Sequence, residues 1–442
     1  AELLLEARPN GLRVPTVAIP SHTRIAQQIT AAIKSSWDLD TCCLFPLPCT
    51  ESSASPLCYQ VLEIRPPKSE PPAGMRWLPI DTALTAVSED DADFGAVQDS
   101  LKKIAQYRLG ELPGPFARPG WLEKVTEWVR SQAANAHLSL TGEIRQLNAS
   151  PTFSLIRFET DGSALWFKAV GEPNVHEYPI TLKLASSFPE FMPRILGTRP
   201  EWNAWLALEA AGSELDATSP ARAWEVAAEN LAQLQMASLG RRFELIEAGC
   251  KDLRPCSLID LVDPFFNFMG ELMERQVIAS PCPLSGDELL PLARDVRSAL
   301  AEFGDAIPNT IGHFDIGPRN ILVSEPNCTF IDWAEAFIGP AFFTFQYLLE
   351  HWKRQHKIDS IQERSFTSSY VRHWNRWASS NEIARLLSAL PLLTAFAFAS
   401  GSSVWRNPET MCPKTPGHLR SIVRRMKREA ETLRKRGLAC AP

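Results

Sequence analysis

His313-Phe314-Asp315-Ile316-Gly317-Pro318-Arg319-Asn320-Ile321-Leu322-Val323, followed after a short gap by Thr329-Phe330-Ile331-Asp332-Trp333, is the stretch from which the rest of the chain is read. Asp315 precedes Asn320 by five positions, and Asp332 follows twelve further on. Two short apolar runs, Ile321–Val323 and Thr329–Ile331, flank Ser324–Cys328, which carries Pro326 and Asn327, a turn signal. The pattern is loop, strand, tight turn, strand, with a polar group at each mouth. A hairpin brings the loop and the strand end to one place. Phosphoryl transfer needs such a set: a carboxylate to take or orient the acceptor proton, and hard oxygen ligands to hold magnesium against the phosphates. Asp315 suits the first role; Asn320 and Asp332 suit the second.

His-x-Asp-x-x-x-x-Asn-Ile-Leu followed by Ile-Asp-Trp resembles the aminoglycoside phosphotransferase and choline kinase family, which shares the protein-kinase fold. The resemblance implies that Asp315 is the catalytic base and that Asn320 and Asp332 bind Mg2+. Trp333 stands where protein kinases carry Phe-Gly, and Gly339-Pro340 matches the family's Gly-Pro. The implied fold class is α+β: a bilobal protein-kinase-like fold over about 140–405, with a small β-rich lobe and a large helical lobe. The chain departs from the pattern in three places. Phe314 replaces a usual small residue. Arg319 replaces a frequent Gly and is a further catalytic candidate; it touches a phosphate or a phosphorylated substrate, or else pairs with a surface acid. Thr344 stands where the family commonly has an aspartate that anchors the site, which puts catalytic power in doubt.

Upstream, Ile144–Leu147 and Thr152–Phe158 read as strands joined by Asn148-Ala149-Ser150-Pro151, and Asp161-Gly162 as a hairpin turn. The family's first hairpin covers the ATP phosphates. This loop lacks the glycines that let amides approach phosphate closely, so Asn148 and Ser150 are the expected donors. Leu165–Val170 is the next strand; its Lys168 falls where the family holds phosphates, or it is an edge lysine facing water. His176-Glu177-Tyr178 opens a helix to about Phe188, and Glu177 matches the glutamate that pairs with that lysine. Ala204–Leu208 is a strand leading to a hinge, Glu209-Ala210-Ala211-Gly212, where the Glu209 carbonyl and Ala211 amide are expected to meet adenine. ATP and Mg2+ are the implied cofactors.

The expected domains are 1–110, a small α/β accessory domain; 111–136, a linker and connecting helix; 137–212, the small lobe and hinge; and 213–442, the helical lobe. The first of these alternates strand-like runs (Leu3–Leu5, Cys42–Leu47, Tyr59–Ile64, Met75–Ile80) with helices at Arg24–Trp37 and Val97–Tyr107. This order is similar to a Nudix domain, with Trp77-Leu78-Pro79 as its Trp-x-Pro segment. A Nudix hydrolase needs glutamates on its helix, and Ile25–Lys34 has no acid, so pyrophosphate hydrolysis is disfavoured. An unrelated accessory domain is the alternative. From Ser219-Pro220, an expected N-cap and first-turn proline, the chain reads as mostly helical. Its last helix is basic on its outer face, from Arg424 to Arg436, which reads as a solvated face or a contact for an acidic partner.

The 442 residues are 45% hydrophobic and 22% charged, with a net charge of -6, so there is no general basic footprint for nucleic acid. Ten cysteines without metal spacing read as free thiols in a reducing compartment. Leu386–Trp405 is uncharged but broken by Pro391, and reads as a buried core helix. A cytoplasmic protein acting on a small-molecule hydroxyl acceptor, with no nucleic acid and no membrane, is expected; the oligomeric state is open. Asp252, Asp260 and Asp263 are candidates to draw a cationic acceptor, and Trp352, Trp374 and Trp377 to stack on it; each has a core or surface alternative. The rival function is a kinase-fold nucleotide-binding regulatory module, catalytically weak or inactive, supported by the glycine-free loop and Thr344.

Overall fold

The computed structural model describes residues 2–8, 11–20, 24–47, 58–65, 70–86, 92–278, 280–304, 306–356, 359–402 and 404–436. It divides into two compact units, Ala1–Tyr178 with Arg194–Glu209 and Pro179–Pro193 with Ala210–Pro442. The fold class is α+β, with a small β-rich unit and a larger helical one.

The first unit opens with β1 (Glu2–Arg8), β2 (Gly11–Arg13), α1 (Ile25–Trp37), β3 (Thr41–Pro46), β4 (Gln60–Ile64), β5 (Met75–Pro79), α2 (Ile80–Ala86) and α3 (Ala92–Leu109). β1 is central in an antiparallel β2-β1-β5 sheet, with Leu4 opposite Trp77, and β3 pairs with β4. The part of the Pro-rich segment at 66–69 lies outside the described residues. α4 (Trp121–Asn135) buries Trp121, Leu122, Val125, Val129 and Ala133, a stripe at helical spacing. Then come β6 (Leu140–Ala149), β7 (Ser154–Thr160), β8 (Leu165–Ala169), the start of α5 (Glu177–Ser187), β9 (Ile195–Arg199) and β10 (Ala204–Leu208). These five strands form one antiparallel sheet in the order β6-β7-β8-β10-β9.

Period-two alternation in that sheet sends Ile156, Phe158, Leu165 and Phe167 to one face, where they share a core with Leu44, Phe45, Phe116, Trp121 and Val125. β3 is apolar from Cys42 to Phe45 because those four residues are all buried. A buried glutamine fastens it: the Gln146 amide donates to the Cys43 carbonyl at 3.0 Å and accepts the Cys43 N–H at 2.8 Å. Cys58 is disulfide-bonded, a correction to the reading of all ten cysteines as free thiols. Buried Cys42 and Cys43 are free thiols.

The second unit contains β11 (Ser213–Glu214), α6 (Ala221–Ala237), α7 (Arg242–Glu247), β12 (Lys251–Asp252), α8 (Pro255–Glu274), α9 (Gly286–Phe303), β13 (Asn309–His313), β14 (Ile321–Ser324), β15 (Asn327–Phe330), β16 (Ala336–Pro340), α10 (Phe342–Gln355), α11 (Ser360–Val371), α12 (Ser380–Gly401) and α13 (Thr415–Lys435). Two small sheets, β11-β14-β15 and β12-β16-β13, sit among the helices. α6 fastens the first of these, and the residue that follows β16, through buried polar side chains. Asn230 donates to the Pro326 carbonyl (2.9 Å) and accepts the Cys328 N–H (3.2 Å), pinning the β14–β15 turn; Gln235 donates to the Ala341 carbonyl (2.8 Å) and accepts the Tyr370 hydroxyl (2.6 Å).

Three expectations change. Ser219 does not cap α6: Pro220 is the N-cap, and the Ser219 hydroxyl accepts the Asp216 N–H. Pro391 does not break α12, which runs unbroken from Ser380 to Gly401 with most of its length buried. Interior proline forfeits a hydrogen bond, and here the packing of Leu386, Leu390, Leu393 and Phe396 in the core offsets it. The basic face of α13 is solvated only in part: Arg428, Arg434, Lys435 and Arg436 are exposed, while Arg424, Arg425 and Lys427 are half-buried against partners. Arg434 pairs with Asp295, Lys427 with Glu288 and Arg425 with Glu350, while Arg420 and Arg424 donate to the Leu272, Pro281 and Cys282 carbonyls.

Candidate active site

In the second unit, β13 ends at His313 and β14 begins at Ile321, so Asp315 and Asn320 lie on the loop between them. The Asn320 side-chain amide donates to the Asp315 carbonyl at 2.7 Å and approaches its carboxylate at 3.4 Å. This fixes the amide with Oδ1 as its remaining acceptor. The Asn320 carbonyl accepts the Ile331 N–H at 3.1 Å, which places Asp332 one residue past the end of the same ladder. Asp332 has φ 66°, the left-handed region that few non-glycine residues occupy and that Asp tolerates better than most. Asp315 is exposed; Asn320 and Asp332 are half-buried.

His313 holds this geometry and was not singled out as a site residue from the sequence. Its ring is fully buried. Nδ1 accepts the Asp315 N–H at 3.0 Å, so the proton sits on Nε2, which donates to the Ile331 carbonyl at 3.2 Å. One neutral imidazole thus ties the backbone of Asp315 to the residue before Asp332, and Trp333 packs against it at 4.8 Å between ring centroids. Thr344, doubted as a substitute for an aspartate, is fully buried and accepts the His313 N–H at 2.9 Å. Arg319 is exposed and pairs with no acid among the described residues.

Asn320 and Asp332 offer an amide and a carboxylate oxygen, hard ligands that suit magnesium. Among the described residues no three His, Cys, Asp or Glu side chains gather as a self-sufficient metal cluster.

In the first unit, Lys168 lies on the face of β8 opposite the Phe167 core. Its Nζ is 2.5 Å from Glu177 Oε1 and 5.7 Å from the Trp205 ring centre. Glu177 is nearly fully buried in the first turn of α5. Asn148 and Ala149 are paired with Leu155 and Ser154 across the β6–β7 ladder. Ser150 offers less to an outside phosphate than expected: its amide donates to the Phe153 carbonyl (2.8 Å) and its oxygen accepts the Phe153 N–H (2.9 Å). The linker supplies an unexpected partner to this turn. The Phe116 N–H donates to the Pro151 carbonyl at 3.2 Å, and Gly114 lies so close that a Cβ there would meet Pro151 O at 2.5 Å.

At the expected hinge, Glu209 uses its side chain on the sheet, accepting from Arg157 (2.9 and 3.1 Å) and Trp166 (3.3 Å); the Arg157 guanidinium, first of all, holds its carboxyl below the usual range. Its carbonyl takes no part in those contacts. Ala211 is exposed. Gly212 has φ 105°, and a Cβ there would meet the Val323 carbonyl at 2.4 Å, so only glycine fits.

The acceptor candidates read from sequence have other partners. Asp252 is held by Arg254 and Asp263 by Arg297; Asp260 is exposed. Trp352 and Trp374 are core residues, and Trp377 lies against Trp374 and Arg376. Tyr347 of α10 lies edge-on to Phe314, the neighbour of Asp315, at 6.3 Å between ring centroids. Burial raises its phenol above the usual value, and the Asp315 carboxylate adds to the shift. His351 packs edge-on to it at 5.1 Å and is lowered by burial.

Residues 199–379 match the model of the phosphotransferase enzyme family. The match is shorter than the 140–405 expected; it includes Asp315, Arg319, Asn320, Asp332 and the hinge, and excludes Asn148, Ser150, Lys168 and Glu177. No curated protein matches the chain by sequence. Among solved structures, the chain is similar to an ethanolamine kinase from Plasmodium vivax (15% identity, 80% of this chain and 98% of that one, TM-score 0.48). It is also similar to a choline kinase from Streptococcus pneumoniae (15%, 71% and 99%, 0.44) and a macrolide 2'-phosphotransferase from Brachybacterium faecium (17%, 64% and 95%, 0.40). None of these comparisons supports a Nudix-like domain at 1–110.

Proposed function

We propose that the chain is an ATP- and magnesium-dependent phosphotransferase that phosphorylates a hydroxyl of a small molecule. The observation that carries this reading is the hydrogen-bonded set of the second unit: Asn320 on the Asp315 carbonyl, and His313 joining the Asp315 amide to the Ile331 carbonyl. The match of residues 199–379 supports it. MgATP, when bound, supplies the phosphoryl group and the cation that neutralises its charge. Asp315, exposed and held by its backbone, accepts the acceptor's hydroxyl proton. Asn320 Oδ1 and the Asp332 carboxylate hold the cation. Lys168, fixed by Glu177, binds phosphate oxygens, and the Glu209 carbonyl with the Ala211 amide receives adenine. Catalysis is then mostly positioning and charge neutralisation.

One observation favours the second reading, a nucleotide-binding module of little activity: the amide of Ser150 is spent inside its own turn. Calorimetry of ATP with and without magnesium, on the wild type and Asp332→Ala, tests the proposal. Magnesium-dependent binding lost in the variant is expected. Absence of binding in the wild type sinks both readings. Binding without ADP production, in a screen of hydroxyl acceptors with Asp315→Ala as control, favours the second.

A further inference from the structure

β13, which leads directly into Asp315, is an edge strand of the β12-β16-β13 sheet. Its register with β16 sets Thr310 opposite Gly339, Ile311 opposite Ile338 and Gly312 opposite Phe337. Amides alternate in direction along an antiparallel strand, so those of Ile311 and His313 share one side. That side is not open to water: Ile311 and His313 are both buried. A buried amide needs an acceptor, and an edge strand has no neighbour to supply one. Two hydroxyls do so instead. The Ile311 N–H donates to Ser238 Oγ at 3.0 Å, and the His313 N–H donates to Thr344 Oγ1 at 2.9 Å.

These hydroxyls come from different helices. Ser238 is the C-cap of α6 and Thr344 lies in the first turn of α10. The Ser238 proton goes to the Gln235 carbonyl at 2.7 Å, which fixes the hydroxyl so that its oxygen receives Ile311. Both residues are almost completely buried. They act on the strand two and four residues before Asp315, and His313 carries their effect onward, since its ring holds the Asp315 amide and the Ile331 carbonyl.

We infer that Ser238 and Thr344 are positioning residues: together they close the outer edge of β13 and thereby set the place of Asp315. The effect on turnover rests on the phosphotransfer reading; the closing of the edge does not. A hydroxyl suffices because the group to be satisfied is a neutral N–H. A buried carboxylate would need further donors to repay its desolvation.

The test uses the full chain and three variants. Thr344→Val keeps the volume and removes the hydroxyl, Thr344→Ser keeps the hydroxyl, and Ser238→Ala removes the other acceptor. Hydrogen exchange is read for the 309–316 segment, MgATP affinity by calorimetry, and turnover as ADP production. Thr344→Val is expected to speed exchange in 309–316 selectively and lower turnover by about tenfold or more, with MgATP affinity kept within about threefold. Thr344→Ser is expected to restore both exchange and turnover. A merely structural role predicts faster exchange throughout the unit and no such split. Wild-type exchange in 309–316 of Thr344→Val overturns the inference, whatever the turnover. If Thr344→Val does not fold, Ser238→Ala carries the same two readouts, and unchanged exchange there overturns it. If the wild type binds no MgATP, the functional proposal fails while the exchange result still judges the edge closure.

Discussion

Glu177→Gln isolates the energetics of the Lys168 pair. The Glu177 carboxylate is 2% exposed, its partner ammonium 13%, and they are 2.5 Å apart. Glutamine keeps the shape and one acceptor but removes the negative charge 2.5 Å from a mostly buried ammonium. Removing one member of a buried pair costs about 3–5 kcal/mol. The residual exposure of Lys168 lets water relieve part of this, so about 3 kcal/mol is expected. For a unit of about 200 residues that corresponds to a midpoint about 6–12 °C lower. The companion variant, Lys168→Met with Glu177→Leu, removes both charges and places apolar groups of similar size; replacing both members is often neutral or better. It should therefore recover most of the loss in thermal and urea unfolding. Neither variant should bind MgATP with wild-type affinity. A Glu177→Gln protein within about 1 kcal/mol of wild type, or a double variant as unstable as the single, refutes the claim that loss of the Glu177 charge beside Lys168 sets the cost.

Asn230→Ala leaves the Pro326 carbonyl and Cys328 amide unmatched; a loss of about 2–3 kcal/mol is expected, with faster exchange around the β14–β15 turn. Gly114→Val combines an unfavourable φ of 129° with a clash against Pro151, so it should destabilise the first unit by more than about 1 kcal/mol and raise the MgATP Kd. His351 and His373 are both lowered by burial, first of all. The unfolded chain then binds protons more readily than the folded one, so their contribution is full above the unfolded pKa and is lost as pH falls through the folded values. Unfolding midpoints of His351→Gln/His373→Gln should fall less steeply than wild type below about pH 6.5.

The site was partly legible because its chemistry is local. Asp315 and Asn320 share one loop, and Asp332 returns to it across a single hairpin whose turn and apolar runs are visible in the residue order. The sheet strands were legible for a similar reason: β8 and β10 show the alternation or apolar run of half- or fully buried strands, and the structure places Ala204–Leu208 where the pattern does. Misreadings came where a residue's role depended on what faced it. Pro391 signals a break until the burial of α12 is known. The basic face of α13 is solvated at Arg428, Lys435 and Arg436, as the sequence suggests, but the partners Asp295, Glu288 and Glu350 of its other residues come from distant elements. Trp352 and Trp374 read from sequence as either core residues or stacking platforms, and the structure shows them to be core. Tyr347 carries no signal in sequence, since only the packing of α10 brings it against Phe314, the neighbour of Asp315.

By itself, then, the sequence determined the hairpin that carries Asp315, Asn320 and Asp332, the strand-to-helix order of the chain and the class of chemistry those side chains suit. These follow from spacings within one or two elements, where backbone geometry leaves few choices. The tertiary structure decided which groups hold that hairpin and which remain available to a ligand. The α6 residues Asn230, Gln235 and Ser238, with Thr344, serve backbone groups 73 to 106 positions away or on another element, and the Gln146 grip on Cys43 spans 103. A buried amide or carbonyl must find a partner, but nothing in its own stretch of sequence says from which element that partner comes.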